Sequence, residues 1–243
     1  MSIKIENVDT YGWEAAIRGM RNPKNSWNMS DSVFRDECHI SEVDCSCADC
    51  EYFTGFNRPC LPSIGAKDLN LMHALAKAGT DHGKFLRMIT VTMDITAPLY
   101  WWKEFDTYKV GTVANSCSTM HKIQAKEFTI DDFSHEHLIT REKPFIEGVD
   151  SVEPPNGIWL MHRTVQTLNQ YRELYLQTKD KKYWWQMIQL LPSSYNQRRT
   201  VQFNYAVALN IYNARKTHKL DEWHSLCDEI KKLPYFEKIC LED

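Results

Sequence analysis

Long apolar runs are absent from the 243-residue sequence, and so is any strong imbalance of charge. No run approaches the roughly 20 residues that a membrane-spanning helix needs, and the first residues contain no apolar core of a secretory signal. The formal net charge of −3 gives no general attraction to polymeric nucleic acid or to an anionic membrane. These absences predict a cytoplasmic protein that binds neither.

Several catalytic patterns are also missing. The chain contains no glycine-rich loop that could cradle nucleotide phosphates, no Ser-His-Asp order of a hydrolase triad and no H-E-x-x-H zinc motif. Internal repeats and low-complexity segments are absent as well. The residues alone therefore identify no catalytic side chain.

Cysteine, in contrast, is present in eight copies, five of them between residues 38 and 60. In a cytoplasmic protein these thiols are expected to be reduced. Cys45, Cys47 and Cys50 have thiolates that could bind zinc, but the segment lacks the paired C-x-x-C units that are typical of zinc sites. A Cys-rich loop without metal is the alternative, and the spacing favours it.

Hydrophobic periodicity predicts strands and helices in mixed order. A strand is expected near residues 3–8, a helix over 13–21, and a second helix that begins at Asp68 as its cap and stops at Gly79. Residues 89–96 alternate as a half-buried strand does, and Pro98 suits the first turn of a following helix. Further helices are expected from Gly157, over 183–191 and over 220–232.

The segment 200–216 is ambiguous. Its apolar residues alternate, as in a strand, but the run is long for a strand and contains three alanines, which favours a helix. As a helix it would place Asn204 and Arg215 on one face, about 16 Å apart, where an amide and a guanidinium could bind an extended ligand. A solvated helix end is the alternative.

Three stretches resemble the flavin-dependent thymidylate synthases. The first is a helix, turn and strand, comprising Leu75–Gly79, Phe85, Thr92 and Ala97-Pro98. The second lies where that family has R-H-R-x-x-S-x-N-x-x-S-x-R and comprises Thr107-Tyr108-Lys109, Thr112, Asn115 and Ser118. The third has the family's intervals and comprises Leu191-Pro192, Asn204, Asn210 and Arg215. Arg18 and Arg21 resemble arginines of the family's N-terminal helix. The likeness omits about 22–66 and 122–156.

This resemblance implies an α+β fold with an antiparallel-type sheet and several long helices. It implies one domain, 1–243, with a loop-rich Cys-containing insertion at 22–66. It also implies a homotetramer that binds FAD and transfers a one-carbon unit from methylenetetrahydrofolate to dUMP. Flavin hydride supplied by NADPH would reduce that unit, and the cofactor would supply the chemistry.

The same resemblance assigns candidate residues. Those for FAD are Thr107, Tyr108, Lys109, Thr112, Asn204 and Asn210. Those for the nucleotide substrate are Ser118, Arg198 and Arg215, with Arg215 at the pyrimidine ring. The second stretch has a lysine where the family has an arginine, and a lysine offers phosphate a point charge rather than a fork of donors.

Two other functions remain open. One is a pyrimidine-nucleotide-binding homologue that is non-catalytic or has altered specificity. The other is an unrelated α/β protein whose Cys-rich loop binds zinc.

Overall fold

The computed structural model describes residues 3–34, 62–140 and 156–242. Cys45, Cys47 and Cys50, the candidate zinc ligands, lie outside the described residues. The strands are β1 (Lys4–Tyr11), β2 (Thr90–Pro98), β3 (Val113–Ser116) and β4 (Asn196–Asn204). The helices are α1 (Trp13–Arg21), α2 (Ala66–Lys77), α3 (Leu99–Phe105), α4 (Thr119–Lys122), α5 (Gly157–Thr178), α6 (Lys181–Leu190), α7 (Tyr205–Arg215), α8 (Asp221–Lys231) and α9 (Phe236–Cys240).

The four strands form one sheet of the antiparallel type, in the order β1-β2-β4-β3. In β2 the side chains alternate between buried and half-buried positions, because successive residues of a strand face opposite sides of the sheet. Val91, Met93 and Ile95 are fully buried, which confirms the alternation seen in the sequence. Pro98 ends the strand, and α3 begins immediately after it. The α+β prediction is therefore confirmed.

The prediction of a single helix over 200–216 was wrong. Residues up to Asn204 belong to β4, and the helix begins at Tyr205. The first half is extended because β4 pairs with the antiparallel strand β3, with Thr200 opposite Asn115 and Gln202 opposite Val113. Asn204 therefore does not share a helical face with Arg215. The three alanines all lie in the helical half, whereas the apolar alternation continues from the strand into the helix and does not mark the boundary.

The described chain divides into two compact units. The first comprises Met1–Val8, Thr92–Gln202 and Ala214–Cys227, and the second comprises Asp9–Val91, Phe203–Asn213 and Asp228–Asp243. In the first unit, α5 and α6 pack as a helical pair. Their apolar sides enclose a core that consists of Ile123, Phe128, Phe133, Met161, Leu168 and Met187.

The second unit has an aromatic core around Tyr205. Its ring lies 5.3 Å from that of Trp13 and 5.5 Å from that of Phe236, both edge to face, a favourable geometry for aromatic pairs. The Tyr205 hydroxyl donates to the carbonyl of Pro234 at 2.7 Å, so this buried polar group is satisfied. Helix α9, which the sequence did not predict, supplies Phe236 to this core.

The second unit also contains a buried ion pair. Arg21 Nη2 and Asp68 Oδ1 are 2.7 Å apart, and the two side chains are 4% and 0% exposed. The second oxygen of Asp68 accepts hydrogen bonds from the hydroxyls of Ser30 and Ser32. Asp68 was predicted to cap α2, but the helix begins two residues earlier. Its first N–H groups are instead capped by Asp31, whose carboxylate accepts from the backbone of residues 67 and 68.

Gly12, which connects β1 to α1, has a φ of +85°. A Cβ atom there would lie 2.2 Å from the carbonyl oxygen of Met88, so Gly12→Ala adds a clash with backbone to left-handed strain. We expect this substitution to lower the free energy of unfolding by about 2 kcal/mol or more, as measured by urea denaturation. Gly79→Ala is the matched control, because Gly79 also has a positive φ but no atom within 4 Å of its Cβ position. An equal loss in both variants would contradict the clash.

Candidate functional site

Arg215, the last residue of α7, is held by side chains from α3 and the turn after it. Its Nη1 donates to Glu104 Oε2 at 2.7 Å, and its Nε donates to the Tyr108 hydroxyl at 2.9 Å. Glu104 Oε2 also accepts from Trp223 Nε1 at 3.3 Å and lies 3.4 Å from His218 Nε2. The Arg215 side chain is 17% exposed. The guanidinium is thus fixed in position by a carboxylate, a phenol and the aromatic surface beneath it.

That surface is an indole. The Arg215 guanidinium lies 4.5 Å from the ring centroid of Trp223, within the range of a cation–π interaction. Trp223 packs in turn on Trp101 at 4.8 Å and on Phe105 at 6.4 Å. Because these rings are buried, they cannot yield easily, and the guanidinium keeps one orientation. We call Glu104, Tyr108, Arg215, His218 and Trp223 the Arg215 cluster.

Residues 107–112 lie where the family has the R-H-R-x-x-S part of its motif, which we call the signature, and their side chains have different roles. Thr107 donates its hydroxyl to the carbonyl of Glu104 at 2.7 Å and so closes the end of α3, and Tyr108 belongs to the Arg215 cluster. Lys109 is exposed. Thr112 is half-buried, and its hydroxyl oxygen is buried without a hydrogen-bond partner among the described residues. Lys109 thus offers an exposed cation, whereas the Thr112 hydroxyl is enclosed by the protein.

No protein-family model matches the chain, and no curated protein is detectably similar to it in sequence. Solved structures are similar in fold. The flavin-dependent thymidylate synthase ThyX of Helicobacter pylori, complexed with FAD and dUMP, superposes with a TM-score of 0.62 at 14% identity, over 100% of this chain and 99% of that one. A second structure of this enzyme, with FAD and dUMP, gives 0.60 at 14% identity, over 99% and 98%.

A third similar structure is the UMP/dUMP methylase PolB of Streptomyces cacaoi, bound with 5-Br dUMP. Its TM-score is 0.55 at 13% identity, over 95% of this chain and 87% of that one. All three matches span nearly the whole of both chains. The chain has the flavin-dependent thymidylate synthase fold.

Within this fold, Arg198 is not free. It lies on β4, and its Nη2 pairs with Asp94 Oδ2 on β2 at 2.7 Å, while Nη1 lies 3.7 Å from Glu6 on β1. Asp94 further accepts from the hydroxyl of Thr200 and from the amide of Asn7. One carboxylate therefore links three adjacent strands on the polar side of the sheet, and the charge of Arg198 is balanced there.

These contacts give Asp94 an acid-sensitive role. Hydrogen bonds from Thr200, Asn7 and Arg198 lower the pKa of Asp94 to about 2, from 3.8. Since the folded-state pKa is lowered, the stabilisation is fully present above pH 3.8 and is lost as the pH falls through about 2. We expect Asp94→Asn to remove about 1 kcal/mol at neutral pH, because Arg198 is 45% exposed and solvent screens its charge. The variant should also lose less stability than the wild type as the pH falls below 4. Unfolding measured between pH 2 and pH 7 tests this, and unchanged curves would contradict it.

The two candidate asparagines belong to the second unit. Asn204 accepts from the N–H of Val207 at 3.0 Å and thereby caps α7, whereas Asn210 is exposed on that helix. Ser118 caps α4 by accepting from the N–H of His121 at 3.0 Å. Capping uses one lone pair of each acceptor, so both side chains keep further hydrogen-bonding capacity.

Arg199 is a second ordered guanidinium in the first unit. It lies 4.3 Å above the Trp102 ring and pairs with Asp106 at 2.8 Å. Its Nε donates to Gln197 Oε1 at 3.0 Å. The side chain is 16% exposed, so Arg199 joins β4 to the end of α3.

The resemblance assigned Tyr108 to FAD and Arg215 to the nucleotide, but it missed Glu104, which pairs with Arg215. The only local signal was a charged pair, Lys103-Glu104, amid four aromatic residues of α3. Its partner lies 111 positions away, and spacing along the chain cannot reveal such a pair.

A second buried polar contact involves α8. The Tyr100 hydroxyl donates to Glu222 and lies 3.0 Å from the Ser134 hydroxyl. Burial, and then the hydrogen bond to Glu222, raises the pKa of Tyr100 to about 12. Tyr100 therefore stays protonated and serves as a donor throughout the physiological range.

Across residues 3–34, 62–140 and 156–242, no three His, Cys, Asp or Glu side chains are grouped as a metal site. None of the helices in those ranges combines the length and the apolar character needed to cross a bilayer.

Proposed function

We propose that this chain is a flavin-dependent enzyme that methylates a pyrimidine deoxynucleotide. The substrate would be dUMP, with methylenetetrahydrofolate as the one-carbon donor and NADPH as the reductant. The observation that carries the proposal is the full-length fold match to two structures complexed with FAD and dUMP. A dUMP methylase with bound 5-Br dUMP supports the same substrate class.

The first unit supplies the proposed nucleotide site. Arg215, held by Glu104 and Tyr108, would donate to the base, because its orientation is fixed and part of its fork remains available. Ser118 and Arg198, both exposed, would contact the rest of the nucleotide. Arg198 could do so without leaving Asp94, since a guanidinium has five N–H donors.

The flavin site would use Lys109 and Thr112. The exposed Lys109 ammonium fits a phosphate group, although as a point charge instead of the fork that an arginine offers, and Thr112 would contribute its unpaired hydroxyl only if the surrounding side chains moved. Thr107 and Tyr108 are further FAD candidates in the first unit, and Asn204 and Asn210 are FAD candidates in the second unit. When bound, the flavin would supply the hydride that reduces the transferred carbon. The protein would orient the nucleotide and exclude water.

The proposed assembly is a cytoplasmic homotetramer in which one domain per subunit, 1–243, contributes to shared sites. Exposed apolar residues near the signature support association, since Val110 is 93% and Val113 is 66% exposed. Such side chains are commonly covered by a second subunit.

Purification with added FAD tests the enzyme proposal. We expect a yellow protein whose flavin absorption bleaches with NADPH, and dTMP formation from dUMP when methylenetetrahydrofolate is present. A colourless protein that takes up no FAD would overturn the flavin proposal.

The second candidate is a pyrimidine-nucleotide-binding homologue that is non-catalytic or has altered specificity. It is favoured by the second stretch of the signature, where Tyr108 is engaged with Arg215 and only Lys109 retains a cation. Nucleotide binding without FAD uptake would select this candidate over the enzyme.

A further inference from the structure

We propose that Glu104 is a specificity-determining residue that accepts a hydrogen bond from an N–H group of the pyrimidine base. This inference rests on the proposed function and deepens it, because it specifies which edge of the base is recognised. It is argued from the hydrogen-bond donors and acceptors of the Arg215 cluster that no described residue engages.

Glu104 uses only one of its two carboxylate oxygens in contacts with described residues. All of its contacts with described residues, to Arg215, Trp223 and His218, use Oε2. The side chain is 36% exposed, and no described residue donates to Oε1. Oε1 can therefore accept a hydrogen bond from an N–H donor. The contacts of Oε2 hold the carboxylate in place for that donor.

Arg215 likewise keeps one guanidinium nitrogen, Nη2, without a partner among the described residues. Nε and Nη1 each make a hydrogen bond, to Tyr108 and to Glu104, while Nη2 donates to no group among the described residues. The Nη2 donors and the Glu104 acceptor are therefore joined through one rigid ion pair. Such a pair matches a planar group that carries an acceptor next to a donor.

A pyrimidine base has such an edge. In uracil the N3–H group lies between two carbonyl oxygens, so N3–H can donate to Glu104 while a carbonyl accepts from Arg215. A phosphate is a poorer ligand at this position, because it lacks a donor and because the Glu104 carboxylate would repel it. The cluster therefore selects a base edge instead of an anion.

The test compares dUMP with N3-methyl-dUMP, which keeps both carbonyls but cannot donate. The affinity of the FAD-supplemented wild-type protein for each is measured by calorimetry. We expect the wild type to bind dUMP at least about tenfold more tightly, the usual effect of losing a hydrogen bond to a charged group. We expect Glu104→Ala to bind both nucleotides with nearly equal affinity.

Tyr108→Phe is the matched control. It removes the other hydrogen bond to Arg215 but leaves the carboxylate, so affinity can fall while the preference for dUMP over its N3-methyl analogue remains. A merely structural role of Glu104 would weaken both nucleotides together and leave that preference unchanged, which would overturn the inference. Wild-type protein that binds dUMP and its analogue equally would overturn it too. Wild-type protein that binds neither nucleotide would instead contradict the proposed function, and this inference with it.

Discussion

Asp68→Ala is expected to lower the free energy of unfolding by about 3–5 kcal/mol, because it leaves the buried Arg21 guanidinium without a counter-charge. Both side chains of this pair are almost completely inaccessible. The substitution also removes the acceptor of Ser30 and Ser32. Burial by itself would raise the pKa of Asp68, but these hydrogen bonds and Arg21 outweigh it and the pKa is lowered.

The lowered pKa determines the direction of the pH dependence. The carboxylate contributes stability above the ordinary carboxyl pKa of 3.8, and the contribution is lost as the pH falls through the lowered value. Asp68→Ala should therefore cost most at neutral pH and less in acid. Chemical denaturation at pH 7 and pH 3, followed by circular dichroism, measures both effects.

Asp180→Ala is the matched control for this experiment. Asp180 also pairs with a cation and caps a helix, but its side chain is 44% exposed. Loss of such an exposed cap should cost much less than loss of a buried charge partner. If Asp68→Ala cost no more than this control, the buried pair would contribute far less than its burial indicates. Adding Arg21→Met to Asp68→Ala should recover part of the loss, because the uncompensated charge is then removed as well.

The elements predicted well from the sequence are those whose burial follows one period. β2 alternates along its length, and α5 repeats apolar residues at three- and four-residue steps, so their types were correct. The strand–helix boundary at Asn204 was missed because β4 and α7 form one unbroken run without a turn residue. No local signal marks the boundary between them. Residues 199–202 are extended because they pair with β3, and that pairing is not visible in the sequence.

β3 itself was not foreseen. All four of its residues are exposed, so it shows no alternation, and only the ladder with β4 makes it a strand. The candidate site is limited in the same way. The family resemblance indicated Arg215 and Tyr108, whereas Glu104 became visible only when the fold brought it next to Arg215. The candidate site depends on contacts between residues that are distant in sequence, such as Glu104 and Arg215. Sequence patterns reveal only relations between residues that are close along the chain.

Arg215→Ala is expected to reduce dUMP affinity by about 100-fold, since charge-assisted hydrogen bonds contribute about 1.5–3 kcal/mol each. The fold should survive. The Glu104 carboxylate is partly exposed and keeps Trp223 and His218 as neighbours, so the loss of stability should be about 1 kcal/mol. Binding is measured by calorimetry and stability by denaturation on the same preparations.

Two further variants separate position from charge. Arg215→Lys keeps the cation but loses the planar fork, and we expect it to recover little of the affinity, because a lysine cannot hold Glu104, Tyr108 and a base at once. Arg18→Ala removes a surface arginine that is 63% exposed and pairs with Glu14, and it should leave affinity unchanged. If Arg215→Ala bound dUMP as tightly as Arg18→Ala, the pyrimidine would lie elsewhere, and the order within the Arg215 cluster would serve the fold alone.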